Sequence, residues 1–178
     1  MRPDRQFVLG VIGESDCSPE LYAVAEAVGR LAAEGGAMIV CGGLGGVMEA
    51  ACKGATSAGG TSIGILPGAS RQDANPFVST VVPTGMGEAR NVLVVRASDA
   101  VIAVGGEYGT LSEIALALKL GTPLVGVQTW ELSRGGNRVE DFPIADTPEE
   151  AVAMAFRLAR GPTQKPTHPI SPNSQSDT

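Results

Sequence analysis

A single histidine, His168, in 178 residues leaves little room for the commonest acid–base and metal chemistry. It lies in a proline-rich stretch near the end, so serine–histidine or cysteine–histidine triads and histidine-rich metal sites are not expected. Acid–base work falls to carboxylates, Tyr, Lys or Arg. Cysteine is scarce as well: Cys17, Cys41 and Cys52 are odd in number and include no CxxC pair. That argues against a disulfide framework or a four-ligand zinc site, and reduced, mostly buried thiols are expected. Only Lys53, Lys119 and Lys165 are present, and none sits in a context suited to a pyridoxal phosphate Schiff base. The chain also lacks an opening signal-peptide pattern and any unbroken apolar run of membrane-spanning length, which predicts a cytoplasmic protein without a membrane partner.

Positive charge is short too. Thirteen Lys and Arg against nineteen Asp and Glu give a formal charge of −6, which disfavours a nonspecific nucleic-acid surface. A local site for a small anion remains compatible with that balance. What the chain has is apolar residues, 43% of the total, enough for one packed domain, and 24 glycines. The glycines gather where strands should meet helices, a distribution that points to ligand-contacting loops.

Hydrophobic runs and helical periodicities alternate along the chain. "FVLGVIG" (7–13) reads as a buried strand, followed by a helix with Ser18 as N-cap and Pro19 at its first position. "AMIVC", a "CGGLGG" turn and the helix "VMEAACKGATSAGG" come next, then the strand "TSIGILPG", the loop "ASRQDANPF" and a weaker strand "VSTVVP". A helix from about Glu88 to Ala97, the strand "DAVIAVGG", a helix from Thr110 to Gly121, the strand "TPLVGVQ" and a helix over 148–160 complete the pattern. Residues 131–143 stay open between a surface loop and a lid. This predicts an α/β fold: a single Rossmann-like domain over 1–160 with a doubly wound parallel sheet, and a disordered tail at 161–178.

In such sheets ligands collect beyond the carboxyl ends of the strands, where helix N-termini offer unpaired amides. Four ends qualify here: "GESDCSPE", "GGLGGVMEA", "TGMGEARN" and "GGEYGTLSE". Neither standard phosphate motif fits, because Met48 replaces the last glycine of GxGxxG and Lys53 is not in a P-loop context. Each glycine loop alone is also ordinary tight-turn chemistry; together they favour a nucleotide or another phosphorylated ligand. Ser15 and Asp16 suit a ribose hydroxyl or a turn, and Tyr108 a base or a packing role. Asn91 suits ligand or a turn cap, and Glu88 the start of a helix. Arg90 reads as an anion ligand or as an exposed helix-start arginine. Thr110 and Glu113 have the spacing of a capping box, which competes with a chemical role for Glu113.

The ordered set "GESDCSPELY", "VCGGLGGVMEAACKGA", "GGTSIGILPG", "EARN" and "GTLSEI", spanning about residues 7–130, resembles the superfamily of the "lonely guy" phosphoribohydrolases and the molybdenum-cofactor carrier proteins. Some of its members were once labelled lysine decarboxylases, a chemistry the lysine contexts exclude. The resemblance implies a homodimer that binds a nucleoside 5′-monophosphate or similar phosphorylated ligand. Arg90 and Glu113 match the family's catalytic arginine and glutamate for hydrolysis of the N-glycosidic bond to base and ribose 5-phosphate, without a metal or catalytic cofactor. By the same resemblance Gly42, Gly43, Gly45 and Gly46 approach the ligand, Met48 and Glu49 flank it, and the amides around Gly109, Thr110 and Leu111 hold phosphate, with Gly106, Tyr108 and Asn91 beside them. Two departures stand out. Gly105 and Glu107 occupy the proline and second-glycine places of PGGxGTxxE, and "GMGEARN" replaces M-x-x-R-K. Both are more similar to the carrier branch, which implies the alternative of a non-catalytic carrier of a phosphorylated pterin, the molybdenum cofactor.

Overall fold

Strands β1 (Val8–Gly13) and β5 (Ala100–Val104) run side by side at the middle of a six-stranded parallel sheet in this computed structural model, which describes residues 5–161. From β1 the sheet extends one way through β2 (Met38–Cys41), β3 (Ser62–Leu66) and the edge strand β4 (Thr80–Pro83), and the other way through β5 to β6 (Leu124–Val127). The order β4-β3-β2-β1-β5-β6 therefore reverses its direction of growth between β1 and β5, where parallel sheets open a crevice at their carboxyl edge.

The apolar runs fill two cores because alternate residues of a strand face opposite sides. On one side Ala100, Ile102 and Val104 of β5 pack with α1 (Pro19–Glu34), α2 (Val47–Ser57) and α5 (Pro148–Arg160). On the other, Val101 and Ala103 pack with α3 (Asn91–Ala97) and α4 (Tyr108–Leu120). The expected doubly wound α/β architecture is thus present, with both faces of the sheet covered. Burying a side chain such as Ile102, fully removed from solvent, contributes about 2 kcal/mol.

Local signals place the helices. The Ser18 hydroxyl accepts from the Leu21 amide at 3.2 Å, and Pro19 begins α1, as its sequence predicts. Helices α1 and α2 approach so closely that a Cβ on Gly54 would stand 1.9 Å from the Glu26 carbonyl oxygen and 2.9 Å from the Arg30 nitrogen. Only glycine fits there.

Three details differ from the sequence expectation. The 88–97 helix divides into a 3-10 turn over Gly87–Arg90 and the short α3. Residues 131–143 contain a small antiparallel hairpin, β7 (Ser133–Arg134) and β8 (Asn137–Arg138). Helix α4 starts at Tyr108 rather than Thr110, so Thr110 is in its first turn and Glu113 in its second. The capping box does not form, and Glu113 is free for another role. The tail expected to be disordered falls, beyond Gly161, outside the described residues.

Candidate functional site

The crevice at the β1/β5 switch point holds a cavity of 280 Å³ whose walls come from all four predicted strand ends. Of the residues singled out from sequence, Gly42, Met48, Arg90, Asn91, Gly109, Thr110 and Glu113 line it. Ser15 and Glu88 do so too, as do Glu14 and Glu107.

Arg90 lies at the floor. Its side chain is only 7% exposed and its Nη1 is 3.5 Å from Oε1 of Glu113, itself 8% exposed. The same Nη1 donates to the Asn91 carboxamide oxygen. Asn91 in turn donates to the Ser112 hydroxyl at 3.1 Å, and Ser112 donates to the Gly109 carbonyl at 2.7 Å. This chain of bonds ties the guanidinium to the first turn of α4. Arg90 Nε, buried, finds no acceptor among the described residues. The exposed helix-start arginine considered from sequence is therefore not what the structure contains.

Gly42 explains how a buried arginine fits. A Cβ there would stand 2.7 Å from Arg90 Nη2 and 2.8 Å from the Met48 sulfur, so the guanidinium lies against bare backbone. Burial pushes the Glu113 carboxyl up to about 7; Arg90 opposes that rise and Glu88 adds to it. A carboxyl poised there can hold or release a proton near neutrality.

The remaining predicted residues do not line the cavity. Gly43 faces inward, its carbonyl accepting from the Asn75 amide at 2.9 Å. Gly45 and Gly46 back onto the β1–α1 loop, where a Cβ would meet the Ser15 carbonyl oxygen at 3.0 Å and that of Glu14 at 2.4 Å. Glu49 accepts from the Tyr22 hydroxyl at 3.2 Å, on the α1–α2 side. Burial and that carboxylate push the Tyr22 phenol up to about 12. The Leu111 amide is spent on the Glu107 carbonyl at 2.9 Å, the first α-helical bond of α4. The amides of Tyr108, Gly109 and Thr110 precede it and are those a helix leaves unpaired. The Gly106 amide donates to Oε2 of Glu14 at 2.7 Å. Tyr108 is 80% exposed and its ring lies 5.7 Å from that of Trp130, outside the lining.

Glu14 is the residue that sequence reasoning passed over. Its signal was its position, first after the central strand β1, but Ser15 and Asp16 drew the attention. In all, four carboxylates and one guanidinium face the cavity, from Glu14, Glu88, Glu107, Glu113 and Arg90. Among the thiols, Cys41 and Cys52 are free and buried with their sulfurs 3.5 Å apart, and Cys17 is half-buried. No group of three metal-ligating side chains occurs among the described residues, and no described helix is long and apolar enough to cross a membrane.

The model of the SLOG cluster4 family matches residues 6–152. An uncharacterized protein of Archaeoglobus fulgidus is 46% identical over 144 residues, covering 81% of this chain and 91% of its own length. Among solved structures, the molybdenum cofactor binding protein of Rippkaea orientalis is 35% identical with a TM-score of 0.80, over 87% of this chain and 98% of that one. The molybdenum cofactor carrier protein of Chlamydomonas reinhardtii is 33% identical with a TM-score of 0.77, over 86% of this chain and 98% of its own.

Proposed function

Since this chain belongs to the SLOG cluster4 family, we propose that it binds a phosphorylated heterocyclic ligand in the Arg90 cavity and carries it without turnover. The ligand class is the molybdenum cofactor, the cargo for which two of its solved relatives are named. The observation that carries this reading is the Arg90 guanidinium, whose side chain is only 7% exposed and lines the cavity. A phosphate oxygen at the cavity floor gains a charge-assisted bond from that guanidinium. The positive end of α4 reinforces it. A cytoplasmic homodimer is part of the same proposal, and sedimentation should give twice the chain mass.

A second reading, hydrolysis of a nucleoside 5′-monophosphate, is favoured by Glu113, whose carboxyl lies near 7 beside the sugar's expected place. Against it stand the departures from PGGxGTxxE, with Gly105 and Glu107 in the proline and second-glycine places. Purified protein incubated with a panel of nucleoside monophosphates, and separately with a phosphorylated pterin, distinguishes the two. Saturable binding without free base is expected. Base release that disappears in both Arg90→Ala and Glu113→Ala would overturn the carrier reading.

A further inference from the structure

Resting on that reading of the cavity, we propose that Glu107 selects the heterocycle: its carboxylate pairs with the two adjacent N–H groups of a 2-amino-lactam edge, as guanine and pterins present. Glu107 stands at the N-cap position of α4, yet its side chain makes no capping hydrogen bond. Nor does the carboxylate have a hydrogen-bond or ion-pair partner among the described residues, although it lines the cavity. Its peptide is held from two sides, the carbonyl accepting from the Leu111 amide at 2.9 Å and from the Trp130 indole at 3.3 Å. An uncommitted carboxylate on a fixed backbone at the cavity wall is the arrangement that recognises a planar ring by its edge.

Size and charge point the same way. At 280 Å³ the cavity falls just below the usual span of ligand sites, about 300–1,000 Å³. Arg90, nine-tenths buried, in the cavity lining and with its Nε lacking a partner among the described residues, takes the phosphate, and the planar ring is left at the mouth. The mouth carries Glu88 and Glu107, both exposed, so it repels further negative charge and favours hydrogen-bond donors. Adenine offers no adjacent ring N–H and 2-amino group. Hypoxanthine has the ring N–H but lacks the amine.

The test is calorimetric titration of the full chain with guanosine, inosine and adenosine 5′-monophosphates and with inorganic phosphate. Guanosine monophosphate is expected to bind about tenfold or more tightly than the other two nucleotides, the discrimination a bidentate pair confers. Glu107→Gln and Glu107→Gly should bring the three nucleotides within about twofold while inorganic phosphate binds at least as tightly as to the wild type, one repelling carboxylate having gone. Thermal melting checks that both variants fold. Equal wild-type affinities, a preference that survives Glu107→Gln, or phosphate binding without any nucleotide binding overturns the role of Glu107 and leaves the anion site standing. Failure of inorganic phosphate and all three nucleotides to bind overturns the cavity reading as well.

Discussion

Replacing Glu113 by Gln keeps the shape of the cavity floor and removes the ionisation there, so the pH dependence of stability isolates its electrostatic environment. In the folded chain burial lifts this carboxyl from an ordinary 4.5 to about 7, against the pull of Arg90. The folded state therefore holds the proton more tightly than the unfolded chain. The linked stabilisation is complete below about pH 4.5 and is lost as the pH rises through 7. At about 1.4 kcal/mol per pH unit of difference, the window is worth about 3 kcal/mol, with little discount for solvent because Glu113 is 6% exposed. Urea unfolding of wild type and Glu113→Gln from pH 4.5 to 8 measures it. The wild type should lose about 3 kcal/mol relative to the variant across that range. A stability difference flat to within about 0.5 kcal/mol, the scale of ordinary non-additivity, would refute the claim that burial outweighs the guanidinium.

Gly42→Ala should weaken phosphate-bearing ligands about tenfold or more by displacing the Arg90 guanidinium, while thermal melting changes little because the opposing atoms are side-chain ends; calorimetry against Arg90→Ala checks this. Gly54→Ala should destabilise the fold by about 1–3 kcal/mol or more in urea, since the added methyl meets the backbone of α1. Its ligand affinity, measured where it remains folded, should match wild type.

The sheet and its helices were legible because both depend on local patterning. Runs such as Val101 to Val104 are buried on both faces, and Ser18 with Pro19 marks a helix start without reference to the rest of the chain. The location of the site followed from strand–helix alternation, since it lies where the carboxyl ends converge. The roles of individual residues were less legible because they depend on contacts across long sequence separations. Glu14 is spent on Gly106, ninety-two positions away. Arg90 is buried by the absence of a side chain at Gly42 and by Glu113 on another helix. The Thr110–Glu113 spacing suggested a cap because sequence alone does not reveal that α4 begins at Tyr108. The hairpin within 131–143 carries almost no apolar alternation, and both of its strands are exposed.

The bond between Glu14 and the Gly106 amide joins the loops that leave the two central strands. Because those strands are already zipped together, the opposite banks of the crevice form one piece, and the cavity has the character of a berth instead of a jaw. A ligand of the proposed kind would meet a seat that is shaped beforehand, so little ordering entropy would be spent on its arrival. Release of the proposed ligand would then turn on competition for its exposed end, with no loop to close and reopen between the two central strands.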